Sequence, residues 1–221
     1  MKRLKVEVVD ALVLTHFHAD HVDGLRGVLH GRIVRQILTS PVPDPAFQTR
    51  EVQGWAAAAG IPIQQLYAGD QLRWGLVQAS VLWPVRVMHE GSVPNNASVV
   101  PSVSVGGLYV LMLGDVETPA AHEVLLELRR DPVFREGGEY DVLKVAHHGS
   151  RLQDPALLAE VAAPVAFISV GADNTYGHPA PGTLHLLAAA ESQVFRTDQC
   201  GDIAVGRNSD GTVLVSTRGS S

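Results

Sequence analysis

The stretch ALVLTHFHADH, residues 11–21, decides how this chain is read. Its first part, 11–15, is an apolar run of strand length that ends against His16. The rest is an H-x-H-x-D-H string made of His16, His18, Asp20 and His21. On an extended or tightly turning segment the rings of His16 and His18 converge on one ion. Asp20 and His21 follow where the chain turns towards a helix, and they can face a second ion. Imidazole with a carboxylate is a donor set that Zn²⁺ prefers and that Mn²⁺ and Fe²⁺ accept. A polar loop with chance histidines is the plain alternative, and the dense spacing at a strand end disfavours it.

The surrounding composition sets outer limits. A chain of 221 residues makes one domain or at most two small ones. With 46% hydrophobic and 18% charged residues it has globular composition, which excludes disorder as the dominant state. No apolar run reaches the roughly 18 residues that span a bilayer. The opening MKRLKVEVVD lacks the apolar region and cleavage site of a signal peptide. Cys200 is the single cysteine, so no internal disulfide forms. The net charge of -6 argues against broad wrapping of nucleic acid.

Short strands and helices alternate along the chain. Strands are expected over 11–15, 33–40 and 61–66, with a helix over 45–59 capped by Asp44. Residues 72–74 and 77–83 read as a hairpin, and 84–97 as loop. Gly106-Gly107 joins strands 98–105 and 108–113. Pro101 in the first of these predicts an edge or bulged position. A helix starts near Pro119, and strand 141–146 runs straight into His147. Asp154 caps a helix ending near Val161, strand 165–171 leads to a Gly/Pro-rich loop, and a helix covers 182–190. Strands close the chain at 193–197, 202–206 and 212–217. This mixture predicts an α+β sandwich with sheets inside and helices outside.

The histidine string resembles the signature of the metallo-β-lactamase superfamily. NNASVV (95–100), LMLGDVE (111–117), LKVAHHGS (143–150), SVGADNTYGHP (169–179) and FRTDQCGDI (195–203) follow in order. Together they resemble the C-terminal domain of ComEC-type DNA-internalisation competence proteins. The resemblance covers nearly the whole chain and implies an αββα sandwich holding two divalent metal ions, Zn or Mn. It departs from the family at the start, where an opening strand pair with a D-V-G-Q-G-D-type stretch and a later strand ending in Asp-Gly are lacking. The expectation is a single domain over 1–221 without its first strands. The membrane channel of the full competence proteins is also absent from these residues.

The resemblance implies a role for each site residue. His16, His18 and Asp115 would hold one metal; Asp20, His21, Asp115 and His148 would hold the other. His148 is preferred to His147, since adjacent strand residues point opposite ways. Asp20 would also orient the attacking water, and His178 would contact phosphate or leaving group. Asn96 and Ser150 are turn and cap residues that can also support the ligands. His89 is a weak candidate for a further ligand, and Lys144 is as readily a structural residue. The implied activity is metal-dependent hydrolysis of a phosphodiester, with single-stranded DNA as substrate and a membrane competence channel as partner. The alternatives are another ester, lactone or phosphorylcholine-type substrate, or an inactive metal- or partner-binding domain. Without a signal the chain reads as cytoplasmic; as part of a ComEC-type protein it would lie at the extracytoplasmic face.

Overall fold

The computed structural model describes residues 5–135 and 138–219. The apolar run before the histidines becomes β1 (Val8–Val9) and β2 (Leu12–Leu14), followed by the short helices α1 (Ala19–Val22) and α2 (Leu25–Leu29). The strand expected over 33–40 is broken into β3 (Ile33–Val34) and β4 (Ile37–Thr39). β1 pairs with β3 and β2 with β4, both in parallel. After α3 (Ala46–Ala58), β5 (Ile63–Gln65) joins the far side of β4. Among the described residues β2 has one strand neighbour, β4.

The second sheet has seven strands. β6 (Gln71–Trp74), β7 (Val77–Trp83), β8 (Val100–Val105) and β9 (Leu108–Met112) form an antiparallel meander. β10 (Val142–Lys144), β11 (Val165–Ile168) and β12 (Gln193–Arg196) extend it in parallel from β9. Gly106 and Gly107 both take positive φ at the β8–β9 turn, as a tight hairpin requires. Pro101 lies in the interior of the sheet, not at its edge. Its strand is tolerated there because the β7–β8 register shifts beside it, between Val81 and Trp83, and breaks the regular ladder.

The helices of this half are α4 (Val93–Asn96), α5 (Thr118–Leu128), α6 (Pro132–Arg135), α7 (Pro155–Val161), α8 (Pro181–Ala189) and α9 (Thr197–Cys200). α4 lies within the expected loop 84–97, held by Ser92 accepting from the Asn95 amide. β13 (Asp202–Arg207) and β14 (Val213–Arg218) form a separate antiparallel hairpin.

Three apolar layers hold the stack together. Val124 and Leu128 of α5 and Leu157 of α7 pack with Leu111, Leu143 and Ala166 on the outer face of the seven-stranded sheet. Val52 and Ala56 of α3 cover Leu14 and Ile37 of the small sheet. Each of the Val, Leu and Ile side chains contributes roughly 1.5–3 kcal/mol on full burial, and each Ala less. Between the sheets the layer is thin: Leu38, Leu66, Val81 and Val99. Beside it runs an apolar cleft of 330 Å³, lined in part by Leu72, Trp74, Val77 and Val103, which reaches His21 and Lys144. The order helix, sheet, sheet, helix is the expected αββα sandwich.

The helix caps follow local chemistry. Asp154 accepts from the amides of Ala156 and Leu157 at the start of α7. Asp44 does not cap α3: the N-cap is Pro45, with no side-chain bond. An Asp154→Ala variant should lose about 1 kcal/mol in urea unfolding. Asp44→Ala should stay within about 0.5 kcal/mol of the wild type.

Candidate metal centre

The site lies where strands end. β9, β10 and β11 are parallel neighbours, so their carboxyl ends open on one rim. β9 leads to Asp115, β10 to His147 and His148, and β11 to the loop carrying His178. The small sheet brings its own strand end to the same rim. The Val99 amide donates to the Thr15 carbonyl across the gap at 2.8 Å, which sets His16 at the seam of the sheets.

Asp20, His21, Asp115 and His148 form a cluster whose donor atoms all lie within 4.8 Å of one another. His21 Nε2 is 3.2 Å from His148 Nε2 and 3.2 Å from Asp115 Oδ2. His148 Nε2 is 3.2 Å from Asp20 Oδ2 and 3.4 Å from Asp115 Oδ2. Two donors on a tetrahedral ion, each about 2.0–2.1 Å away, lie about 3.3–3.4 Å apart. The cluster therefore has the spacing of a coordination shell. Next to it His16 Nε2 and His18 Nδ1 converge to 3.2 Å, and the His16 and His21 rings are 4.1 Å apart. Asp115 Oδ1 is buried with no hydrogen-bond partner, so the carboxylate keeps a free donor atom. The residues fit divalent metal.

Neighbouring groups aim these side chains. Ser98 Oγ accepts from the Asp115 amide at 3.0 Å and sits 3.3 Å from His16 Nδ1. His148 Nδ1 lies 2.7 Å from the Ser169 carbonyl, which fixes the proton there and leaves Nε2 for the cluster. The Lys144 ammonium donates to the Gly114 carbonyl and stands 3.7 Å from Asp115 Oδ1. Glu117 accepts from the Ser92 amide and from Asn95 Nδ2. Asn96 Oδ1 accepts from the Glu117 amide, so Asn96 steadies the segment after Asp115. Ser150 is a turn residue: its Oγ accepts from the Leu152 amide and its carbonyl from Thr183. The sequence marks Lys144, Ser98 and Glu117 only by their positions next to a motif. His89 is exposed in the loop before Glu90.

The His147-His148 pair is separated by a mechanism other than strand alternation. β10 stops at Lys144, and Ala146–Gly149 form a 3₁₀ turn. His147 and His148 both adopt left-handed backbone, at φ 47° and 52°, followed by Gly149 at 78°. Non-glycine residues there carry strain of order 1–3 kcal/mol each. The reversal sends His148 into the cluster. His147 instead faces Glu117, with its Nδ1 3.9 Å from Oε1, and its ring lies 5.8 Å from that of His178.

Charge and burial interact strongly. Burial, with the neighbouring His21, lowers His16 to about 3, so its ring is neutral. Burial opposes ionisation of Asp115, but hydrogen bonds from His148 and His21 and the Lys144 charge outweigh it and hold the carboxyl well below its ordinary range. The hydrogen bond from His148 lowers Asp20 to about 2. Hydrogen bonds to Asp115 and Asp20 raise His148 to about 10. Burial lowers Lys144, and burial with the His148 charge lowers His178.

Fold and donor set define a metallohydrolase-type sandwich. The chain belongs to the metallo-beta-lactamase superfamily, whose sequence pattern matches residues 1–171. It is 31% identical over 200 residues to ComE operon protein 3 of Bacillus subtilis (strain 168), covering 90% of this chain and 24% of that protein. It is 26% identical over 200 residues to recombination protein 2 of Haemophilus influenzae, covering 90% of this chain and 22% of that one. The chain thus spans about a quarter of the length of these relatives. Among solved structures, CmlA, a diiron beta-hydroxylase from Streptomyces venezuelae, shares the fold. Its TM-score is 0.52 at 14% identity, over 86% of this chain and 44% of that one.

Two measurements probe the centre. A Cβ at Gly149 would lie 2.7 Å from Pro179 Cβ, in a left-handed backbone, so Gly149→Ala should lower thermal stability and weaken metal binding together. In EDTA, the stability supplied by the raised His148 is complete below pH 6.5 and is lost as pH rises through about 10. The urea-midpoint difference between wild type and His148→Asn should therefore shrink between pH 6.5 and 10.

Proposed function

We propose that this domain is a metal-dependent phosphodiesterase acting on single-stranded DNA during competence-type DNA uptake. The observation that carries the reading is the cluster of Asp20, His21, Asp115 and His148, whose donor atoms lie within 4.8 Å of one another, with the converging His16 and His18 rings beside it. Asp20, His21, Asp115 and His148 would hold one divalent ion; His16 and His18, with Asp115, would hold a second. Zn²⁺ and Mn²⁺ both accept this donor set. Bound there, the ions supply Lewis acidity that acidifies water and offsets phosphate charge.

The chain's own residues set up that chemistry. Asp20 stands at the rim with its side chain 61% exposed, where it can orient an incoming water. His148 is aimed by Ser169, and Lys144 balances the buried Asp115 charge. His178 borders the centre through His147 and can hydrogen-bond a phosphate oxygen or leaving group. The net charge of -6 disfavours broad contact with a polyanion, so a strand would engage the metal-bearing face alone.

Two likenesses favour DNA over other esters. One is the order of motifs shared with ComEC-type internalisation proteins. The other is the identity to a relative named for recombination. With a membrane competence channel as partner, the domain would work at the extracytoplasmic face. No helix among the described residues is long and apolar enough to cross a membrane.

The test combines metal content with a substrate panel. The full chain should bind two equivalents of Mn²⁺ or Zn²⁺ and cleave labelled single-stranded DNA and bis-p-nitrophenyl phosphate. His18→Ala and Asp115→Ala should each reduce cleavage at least 100-fold, as expected where a donated group makes about 2.7 kcal/mol or more of difference. Hydrolysis of nitrocefin or a lactone in place of the phosphodiesters would assign the ester reading. Metal binding without turnover on any of them would assign a binding domain.

A further inference from the structure

Tyr176 is exposed over 84% of its surface, more than any other large hydrophobic residue described. Its one ring contact among the described residues is His178, on which it stacks with centroids 6.2 Å apart and planes 18° from parallel. His178 lies 5.8 Å from the His147 ring, and His147 lies 6.3 Å from His148. A file of rings therefore leads from solvent to the donor cluster.

The loop holding Tyr176 is braced. Asn174 Oδ1 accepts from the Tyr176 amide at 2.9 Å, and Asn174 Nδ2 donates to the His178 carbonyl at 2.6 Å. The Asn174 amide donates to the Gly171 carbonyl. The same loop starts at Ser169, the residue that aims His148. A large ring held in this way, with its outer face in water, has no structural task that explains it. Exposed aromatic faces beside nucleic-acid sites stack on bases without regard to sequence.

The charges nearby fit stacking better than broad attraction. Arg151, three positions after His148, is exposed and makes no ion pair among the described residues. Asp173 in the loop is also exposed, so the loop carries no net positive charge. A strand engaging this face needs an uncharged source of affinity next to the metals, and the Tyr176 ring supplies one.

We propose that Tyr176, backed by His178, is the platform on which a base of the substrate strand stacks beside the diester to be cleaved. This rests on the phosphodiesterase reading above. The test is fluorescence anisotropy of the full chain, in EDTA, with labelled decathymidylate and with an abasic decamer of equal length. Wild type should prefer the thymidine strand about tenfold. Tyr176→Phe should keep that preference, and Tyr176→Ala should abolish it. With Mn²⁺, Tyr176→Ala should also lower the ratio of kcat/KM for a thymidine-bearing p-nitrophenyl diester over methyl p-nitrophenyl phosphate, again about tenfold. Equal behaviour of the two decamers with wild type, or a preference surviving in Tyr176→Ala, overturns the platform. A Tyr176-dependent preference with no hydrolysis of any diester overturns the phosphodiesterase reading and leaves the platform standing.

Discussion

A buried carboxylate organises this molecule. Asp115 is 2% exposed, at the seam where two sheets meet, and a charge in that position is costly unless it is answered. The answers come from separate parts of the chain. His21 follows β2, His148 follows β10, and Lys144 ends β10 itself. Ser98, just ahead of β8, takes the Asp115 amide. No local segment can assemble this set, so the charge is tolerated only when both sheets have docked. Fold and centre are thus coupled through one side chain.

The second constraint is backbone geometry at the strand ends. Gly114, at φ 53°, brings the chain within contact of Ser98, where a Cβ would come to 2.6 Å of the Ser98 Cβ. The left-handed run His147-His148-Gly149 reverses direction within three residues. Strain of this kind persists where surrounding contacts over-determine it. Here the Ser150 amide bonds to the His147 carbonyl, the His147 amide bonds to the Gly114 carbonyl, and Pro179 packs over Gly149. The geometry separates two adjacent histidines into different tasks. His148 enters the cluster, and His147 lines the approach with His178.

Much of this architecture was legible locally. The apolar runs before His16, Asp115 and His147 announce strands that end in donors, and Gly106-Gly107 announces its hairpin. These signals survive because they depend on periodicity and on glycine stereochemistry, which act over a few residues. Ambiguities and misreadings fall where a distant partner decides. Pro101 leaves edge and bulge both open until the shifted β7 register selects the bulge. Asp44 looks like a cap, but Pro45 takes that place. Lys144 reads as a structural lysine, since only the parallel pairing of β9 and β10 sets its ammonium beside Asp115.

The sequence alone determined the donor inventory: His16, His18, Asp20 and His21 within one string, an aspartate after β9, and a histidine pair after β10. It also determined the sandwich, because alternating short strands and capped helices have few other ways to bury their apolar faces. Only the tertiary structure decided that His148 rather than His147 turns into the cluster, that Lys144 and Ser98 support it, and that Tyr176 stands braced on His178 at the rim. The reason is physical. Ligand type is a property of residues, whereas convergence depends on strand pairing, left-handed turns and the docking of two sheets, all of which join residues far apart in the chain.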